Sequence, residues 1–510
     1  MSEKTKAIAP IVLGEEPLRN LSSGAELFAG IGGNFSSVSE IICELVDDPI
    51  SNILHNQDNP DVSKEITICF EDRGTRVGIM VKDGGSGIQN IHNALTIAGR
   101  AAPDGPLNAH GFGLKHAFSS LACGDKQDWW LESRTKENLL NNTYCRVKGP
   151  FRTGTSKEDK PMMILHCEGC GHVGDHTGTV IYTSCSQSVF KTAKPNRKYT
   201  NVTFSALVSY IVEHLRFTYA EILASGKIIL KVIATDLSGN ETTETLMPLL
   251  PNWKEGMVQE QNNIECNLGG GTLLADFRYG QIEPSEENTF YFKGNQASSG
   301  VQVSFNGRVI TNRLYSAVYG EEIHNSQNRF LAQIDLKTDN LEALPRTKNT
   351  KTALSEGDFR YAALLKLIST YITAPEKDLE KLEDKLMRLL VEQERNDSST
   401  FRADREEVVF RSAGVKAYID LYVVKKDGQV IIYEGKAHAS KVRDVGQVLL
   451  YILGCIYDGK PANRAVLIAS RHSGEVVSLI PAANELLAAL GIQCTIGLDT
   501  WGNRGIAVPA

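Results

Sequence analysis

Three short motifs follow one another near the start of the chain, and their order constrains the fold more than any other feature. ELVDD, which spans Glu44 to Asp48, lies in a helical pattern, so its first and last acids fall one turn apart on one face. VKDGGSGI places Asp83 at the end of a strand-like run, and NAHGFGLKHAF places Gly111 and Gly113 before a helix. Helices and strands that alternate in this way predict an α/β fold.

The side chains of these motifs suit the binding and hydrolysis of a phosphate ester. Glu44 can orient and deprotonate a water, and an acid one turn later can hold Mg²⁺, which prefers a few oxygen ligands. Asp83 can accept a hydrogen bond from an exocyclic amine, while Gly85 and Gly87 let the backbone approach a flat ring. Lys115 adds charge to helix N–H groups that bind phosphates. Taken singly, the motifs also fit a solvated acidic face, a hairpin turn and an isolated G-x-G.

Together the motifs resemble the GHKL ATPases, the superfamily of Hsp90, gyrase, MutL and the MORC proteins, and GTVIY (178–182) follows in the order of that family. MORC is the most similar, because ELVDD resembles its ELVDN and GFGLK its GxGLK. The resemblance implies a GHKL (Bergerat) α/β sandwich over residues 1–200 that binds ATP and Mg²⁺, with Glu44 as general base and Asp48 as Mg²⁺ ligand. The other nucleotide-binding residues that it implies are Asp83, Gly85, Gly87, Gly111, Gly113, Lys115 and Thr179.

Two positions depart from the family pattern. The Mg²⁺ ligand of the family is an asparagine, whereas this chain has Asp48, whose extra charge beside ATP would weaken binding or slow turnover. Asn108 replaces the first glycine of the phosphate-lid motif, and asparagine tolerates left-handed backbone better than other non-glycine residues. We therefore expect an active ATPase, and the alternative is a related fold that does not hydrolyse ATP.

A second α/β unit is predicted from about residue 205. SGVQVSFNGRVI (299–310) resembles the transducer strand that follows the ATPase domain in MutL and MORC, which implies a transducer α/β domain over residues 201–374. LPRTKNTKTAL (344–354) resembles the loop that delivers a lysine to the γ-phosphate, and we predict Lys351 for this role, with Lys348 as the alternative. Without the upstream motifs, a solvated basic loop would fit equally well.

A charged, amphipathic stretch, PEKDLEKLEDKLMRLLVEQERN, predicts a helical linker over residues 375–400. Further upstream, Cys167 and Cys170 stand between two histidines, which invites a zinc interpretation. Cys185 is the only nearby partner, and a convincing zinc site would show a second matching pair of cysteines. We therefore expect a turn between strands at this position.

The stretch KAYIDLYVVKKDGQVIIYEGKA (416–437) predicts a β-hairpin, because two β-rich runs flank an Asp-Gly pair that suits a type I′ turn. Asp420 lies on the first strand, and Glu434 and Lys436 lie on one face of the second. Burying two opposite charges costs several kcal/mol of desolvation, so this pair is either a salt bridge or part of an active site. Gln447 follows on a helix.

This pattern resembles the PD-(D/E)XK nucleases, which implies a restriction-endonuclease-like mixed α/β domain over residues 401–510. Asp420 and Glu434 would then hold Mg²⁺ or Mn²⁺ against a phosphate, and Lys436 would orient or deprotonate the attacking water. Gln447 matches a glutamine that many members carry on the next helix. Members also supply a glutamate from an upstream helix, for which Glu406 and Glu407 are the candidates.

Composition and charge are consistent with these assignments. The net charge of −7 is uneven, with +2 on residues 401–510 and −9 on the rest, which permits DNA contact by the C-terminal part. Ten scattered cysteines, no signal-peptide-like start and no run of eighteen apolar residues predict a cytoplasmic protein that does not enter a membrane.

We therefore expect a prokaryotic protein in which ATP promotes a homodimer and licenses DNA cleavage, in defence against foreign DNA and with a further defence-system protein as a candidate partner. The first alternative is an ATP-gated DNA clamp with an inactive nuclease-like domain. An Hsp90-like chaperone is a second alternative, which the D…E-x-K hairpin disfavours.

Overall fold

The computed structural model describes residues 10–18, 37–96, 107, 111, 113–122, 128–150, 162–194, 202–348, 351–376, 382–411 and 417–508. The chain divides into two compact units, Met1–Lys377 and Asp378–Ala510, and each unit is described by itself. Both units combine mixed sheets with packed helices, so the predicted class, a mixed α/β protein of several domains, is confirmed.

The first unit begins with a large mixed sheet. Its strands are β1 (Val12–Pro17), β2 (Glu65–Asp72), β3 (Arg76–Asp83), β4 (Trp129–Arg134), β5 (Thr143–Lys148), β6 (Met163–Glu168), β7 (Gly178–Ser186), β8 (Ile229–Thr235) and β9 (Glu241–Thr245). They lie in the order β1-β6-β5-β4-β7-β3-β2-β8-β9. The accompanying helices are α1 (Val38–His55), α2 (Ile91–Leu95), α3 (Gly113–Leu121), α4 (Lys136–Leu140), α5 (Gln187–Phe190), α6 (Phe204–Thr218) and α7 (Ala220–Ala224).

Helices cover one face of this sheet, because apolar side chains that point to that face alternate along the strands with more exposed ones. Ile66, Ile68 and Phe70 of β2 are buried, while the residues between them are partly exposed. They pack with α1, α3 and α6 in one hydrophobic core. Strands β2 and β3 form an antiparallel hairpin, and Asp83 stands at the end of β3. The motif residues are thus attached to a rigid layer.

The first sheet extends beyond the predicted domain boundary at residue 200. Strand β8 pairs in parallel with β2, for example Leu230 with Ile66, and β9 pairs with β8. Because sheet membership depends on backbone pairing and not on sequence order, the segment after residue 200 completes the first sheet before the second begins.

A second sheet completes the first unit. Its strands are β10 (Asn252–Asn267), β11 (Thr272–Glu283), β12 (Gly300–Phe305), β13 (Arg308–Thr311) and β14 (Phe330–Lys337), in the order β10-β11-β14-β12-β13. Helices α8 (Tyr315–Tyr319) and α9 (Phe359–Tyr371) follow, and α9 packs on the sheet through Leu364 and Ile368. The predicted transducer-like strand 299–310 is therefore a hairpin of β12 and the start of β13.

The second unit has a sheet in the order β15-β16-β17-β18-β19, formed by β15 (Thr400–Val409), β16 (Ala417–Lys425), β17 (Val430–Ser440), β18 (Arg464–His472) and β19 (Thr495–Thr500). Helices α11 (Val442–Tyr457) and α12 (Gly474–Ala489) pack on one face of the sheet, and α10 (Leu382–Asn396) packs on the other. The predicted β16–β17 hairpin is present. Its turn differs from type I′, which needs positive φ at both central residues, because Gly428 has φ +86° and Asp427 has a negative φ.

Helix α10 corrects the prediction of a linker over residues 375–400. Leu386, Met387 and Leu390 are buried against the sheet of the second unit, together with Tyr433 and Trp501. The amphipathic pattern was read correctly as a helix, but its apolar stripe is a core element of this unit. Among the described residues, no helix is long and apolar enough to cross a membrane.

Candidate active sites

Helix α1 positions the acids of the first motif. It begins after Ser37, whose hydroxyl accepts a hydrogen bond from the Glu40 N–H (3.4 Å), as expected of an N-cap. Glu44 and Asp47 are buried, whereas Asp48 is exposed. The helix therefore presents one acid to solvent and two to the protein interior.

Asp47, which sequence reasoning did not select, is the most highly coordinated of these acids. It accepts hydrogen bonds from the Tyr219 hydroxyl (2.8 Å), Arg308 Nε (2.7 Å) and Lys351 Nζ (2.9 Å). Burial alone would raise the pKa of Asp47, but Arg308 and Lys351 outweigh burial and hold the pKa below its usual range. Asp47 thus stays ionised and ties α1 to the second sheet and to the loop that carries Lys351.

Glu44 is buried, and neither carboxylate oxygen has a hydrogen-bond partner among the described residues. Its Oε2 lies 3.4 Å from Lys351 Nζ. Burial raises the pKa of Glu44, and Lys351 opposes the shift. A side chain on Gly113 would bring Cβ within 2.6 Å of Glu44 Oε2, so any other residue at this position would displace the Glu44 carboxylate. The predicted base, the predicted lysine and the glycine-opened helix are therefore brought together.

Of the two candidate lysines, the structure places Lys351 at this site. Lys351 is 4% exposed, and its Nζ also donates to the Leu107 carbonyl (2.5 Å). Burial would lower the pKa of Lys351, but Asp47 and Glu44 outweigh burial and raise it. Lys348 is exposed.

Lys115 and Asp48 lie beside this cluster. Lys115 is buried, and its Nζ donates to the Ala94 carbonyl (2.8 Å), which ties α3 to α2. Burial lowers the pKa of Lys115 to about 8, although Asp48 opposes the shift. Gly111 has a left-handed φ of +60°, and the predicted lid residue Asn108 lies outside the described residues.

Asp83 lies at the end of β3, opposite Thr179 of β7, and both side chains are buried. Its Oδ1 accepts the Gly85 N–H (2.8 Å). Gly87 has φ +74°, and a Cβ there would lie 2.5 Å from the Arg134 carbonyl oxygen, so the turn requires glycine. The predicted base-reading aspartate and its glycines thus form one tight structure.

Asn52 is a further residue at this position that sequence reasoning missed. Its Oδ1 accepts the Ser86 N–H (2.8 Å), which joins α1 to the glycine turn. A cavity of about 410 Å³ beside this contact is lined by Asn52, Ser86, Gly87 and Thr177, among others. The sequence could have indicated Asn52, because Glu44, Asp48 and Asn52 recur every four residues and so lie on one face of α1.

The charge of Asp83 predicts a pH dependence of stability. Burial raises the pKa of Asp83 to about 7, although hydrogen bonds from the Gly85 and Thr179 main chains oppose the shift, whereas an unfolded aspartate titrates near about 3.9. The folded chain therefore holds the extra proton between about pH 4 and 7, and stability falls as the pH rises through this window. We expect Asp83→Asn to match the native chain at pH 4 and to exceed it by a few kcal/mol at pH 8 in chemical unfolding. A difference that does not change with pH would contradict this account.

The cysteine motif forms a turn, as expected. Cys167 ends the buried part of β6, and Gly169 and Gly171 in the following turn have positive φ. His172 Nδ1 lies 3.0 Å from Glu132 Oε2. Among the described residues, no cluster of three or more His, Cys, Asp or Glu side chains is arranged to hold a metal.

In the second unit, β16 and β17 bring together the predicted acids and lysine. Asp420 Oδ2 accepts the Gly435 N–H (2.8 Å), and Lys436 Nζ donates to Glu434 Oε1 (2.6 Å). Glu434 is 1% exposed, and its Oε2 has no hydrogen-bond partner among the described residues. Burial, aided by Asp420, raises the pKa of Glu434 to about 8 despite Lys436. A buried acid with one unsatisfied oxygen beside a second carboxylate fits a divalent metal ligand.

Two helices border this pair of carboxylates. On α11, Gln447 Nε2 donates to the Tyr451 hydroxyl (2.7 Å). Burial raises the pKa of Tyr451 to about 12, and Glu434 and Asp420 add to the shift, which places this hydroxyl in the field of both acids. On α10, Glu383 Oε1 lies 3.6 Å from Lys436 Nζ.

The candidates for the upstream helical glutamate are therefore wrong. Glu406 and Glu407 lie on strand β15, where Glu407 pairs with Arg402, Arg411 and Lys460. The glutamate that an upstream helix does bring to the site is Glu383, which was hidden in the stretch assigned to a linker.

Two solved structures are similar to this chain. The N-terminal domain of a DNA repair protein has 14% sequence identity and a TM-score of 0.37, and the match covers 68% of this chain and 95% of that one. The B-subunit of DNA gyrase from Myxococcus xanthus has 10% identity and a TM-score of 0.34, with coverage of 65% and 88%. No protein-family model and no curated protein matches the chain.

Proposed function

We propose that the first unit is an ATPase of the GHKL type, most similar to MORC and MutL. The observation that carries the proposal is the buried carboxylate of Glu44, which has no hydrogen-bond partner among the described residues and lies 3.4 Å from the Lys351 ammonium. A buried acid without hydrogen-bond donors is costly to fold, and its retention beside a lysine from a distant loop is expected where a water is to be activated.

The roles of the residues follow from their positions. Glu44 accepts the proton of the attacking water, and Asp83 accepts a hydrogen bond from the adenine amine. Asp48 is the exposed acid one turn after Glu44 and would hold Mg²⁺, which would offset the charge of the phosphates. The glycines at 111 and 113 free the start of α3 for phosphate binding.

Lys351 links nucleotide binding to the second sheet. Its ammonium is shared between Glu44 and Asp47, and Arg308 on β13 donates to the Lys351 carbonyl (2.9 Å) as well as to Asp47. A γ-phosphate would compete with both acids for the ammonium. The loop and β13 would then respond to whether the terminal phosphate is present, which is the type of order change that drives nucleotide switches.

For the second unit we propose metal-dependent cleavage of DNA. Asp420 and Glu434 would hold Mg²⁺ or Mn²⁺, which would polarise the scissile phosphate. Lys436 orients the attacking water and offsets developing charge, while Gln447 donates to Tyr451, whose hydroxyl lies in the field of the same carboxylates. The raised pKa of Glu434 supports this role, because a carboxylate that resists ionisation when alone gains most from a cation.

Combined, the two units make an ATP-controlled nuclease in which ATP promotes a homodimer that positions DNA for cutting, and a role in defence against foreign DNA follows from the fusion by analogy. One observation favours the alternative of a DNA clamp with an inactive nuclease-like domain. The Lys436–Glu434 contact of 2.6 Å is also the geometry of a structural salt bridge.

The ATPase assignment is tested by replacing Asp83 with alanine. The variant loses the hydrogen bond to adenine and leaves the polar partner unpaired, which costs about 1–3 kcal/mol, or roughly one to two decades in the Kd for ATP. Calorimetric titration with ATP measures the loss. Asp58→Ala, which removes an exposed aspartate from the loop after α1, is the control. ATP binding that is equal in all three proteins would overturn the proposal.

A further inference from the structure

A second cavity lies in the first unit, next to the Lys351 loop. Its volume is about 790 Å³, within the range of about 300–1,000 Å³ that is usual for small-ligand sites. Its walls are formed by the start of α1, α6, residues 289–297, residues 308–313, Lys348 and residues 351–353. Of the residues assigned above to ATP binding and hydrolysis, only Lys351 lines it. The side chains that would contact a ligand in this cavity are therefore largely different from those of the ATP site.

One wall is aromatic and firmly held. The buried Glu213 carboxylate on α6 accepts the main-chain N–H groups of Thr289 (2.9 Å), Phe290 (2.8 Å) and Tyr291 (3.2 Å). This anchor places Phe290 edge-on to Tyr210, with ring centroids 5.0 Å apart, and stacks Tyr291 on Phe217 at 3.7 Å. The cavity thus offers a rigid surface on which a flat ring can stack.

The same wall carries no charge near neutral pH. His214 Nδ1 lies 2.7 Å from the Tyr291 hydroxyl. Burial, together with Arg308, lowers the pKa of His214 to about 4, so its imidazole is neutral. A neutral aromatic wall suits a nucleobase, because stacking makes little demand on base identity.

Other residues that line the cavity are positively charged. Two of its cations, Arg308 and Lys351, are already held by Asp47. Arg313 and Lys348 are exposed, and neither side chain has an ion-pair partner among the described residues. Among the described lining residues, Glu40 is the only one with a carboxylate side chain. The surplus of cations over acids favours an anionic ligand, and guanidinium and ammonium groups suit phosphate oxygens.

We infer that this cavity binds a nucleotide, with the base against Tyr210 and Phe290 and the phosphate on Arg313 and Lys348. Two sources supply this chemistry, a free mononucleotide and the 5′-phosphorylated end of a single DNA strand. Binding at this site does not require the ATPase proposal, because the lining residues named here are distinct from Glu44, Asp48 and Asp83.

The test uses the full chain without divalent metal and two thymine probes, since thymine lacks the exocyclic amine that Asp83 would read. Binding of dTMP is measured by calorimetry, and binding of 5′-phosphorylated and unphosphorylated (dT)8 by fluorescence anisotropy. We expect the Arg313→Ala/Lys348→Ala double variant to bind at least about tenfold more weakly, since it removes both charged donors to the phosphate. Phe290→Ala should weaken binding severalfold.

The controls separate this site from others. Lys227→Ala removes an exposed lysine that lines a different groove of the same unit and should bind as the native chain does. Asp83→Ala should also retain binding of dTMP. A failure of the ATPase proposal can therefore be distinguished from a failure of the nucleotide-site inference. Tight binding of dTMP identifies the free nucleotide, and binding of only the phosphorylated (dT)8 identifies the strand end. No binding of either probe at millimolar concentration, or equal binding by the double variant, would overturn the inference.

Discussion

Glu44→Gln is expected to lower the rate of ATP hydrolysis by roughly 100-fold or more while leaving ATP affinity nearly unchanged. Glutamine keeps the shape of the side chain but cannot accept a proton. The carboxylate contacts no hydrogen-bond donor among the described residues apart from the Lys351 ammonium at 3.4 Å, so its loss leaves few partners unsatisfied. Steady-state phosphate release and calorimetric titration with ATP measure the two quantities.

Glu137→Gln provides the matched control, because Glu137 is an exposed glutamate on α4 of the same unit. The Glu44 variant should also accumulate ATP-bound dimer, which light scattering detects. Hydrolysis at the native rate in Glu44→Gln would show that another group activates the water, and loss of ATP binding would show that Glu44 serves the nucleotide.

Lys436→Ala is expected to abolish DNA cleavage by the second unit, with a loss of about 100-fold or more, and to leave ATP hydrolysis intact. The reason is that the substitution removes the ammonium that we propose orients the attacking water. Because burial and Asp420 already raise the pKa of Glu434 to about 8, the remaining acid is protonated near neutral pH or held by metal. The free energy of unfolding in Mg²⁺ should therefore change by less than about 1 kcal/mol.

A structural salt bridge predicts the opposite pattern. Stranding a buried carboxylate would destabilise the unit by roughly 3–5 kcal/mol, and cutting would be affected only through unfolding. Plasmid nicking and thermal unfolding on the same preparations separate the two cases. Lys426→Ala, an exposed lysine in the turn before Gly428, is the control. A large drop in melting temperature with residual nicking would remove the case for a nuclease.

The sequence predicted the local positions of the motif residues in the first site better than the architecture around them. Glu44 and Asp83 could be named because each stands in a short motif whose local structure fixes its position. Asp47 could not, since its role depends on Tyr219, Arg308 and Lys351, which reach it from distant parts of the chain. The predicted domain boundary at residue 200 was wrong for a similar reason. The pairing of β8 with β2 joins distant parts of the chain and leaves no local pattern in the sequence.

The same contrast holds in the second unit. Asp420, Glu434 and Lys436 belong to one hairpin, so alternation along two strands was enough to bring them together. Glu383 was missed because charge and amphipathicity alone do not distinguish a linker helix from one whose stripe is buried against a sheet. Only the packing of Leu386 and Leu390 decides between them.

We propose that ATP on the first unit controls cleavage by the second, and cutting of supercoiled plasmid DNA by the full chain can distinguish this coupling from two independent activities. The reaction is run in Mg²⁺ with and without ATP, and Lys436→Ala serves as the blank for contaminating nucleases. The account predicts that the native chain cuts with ATP, cuts little without it, and that the blank does not cut. Cutting at the same rate without ATP, or no cutting with ATP in either Mg²⁺ or Mn²⁺, would contradict it.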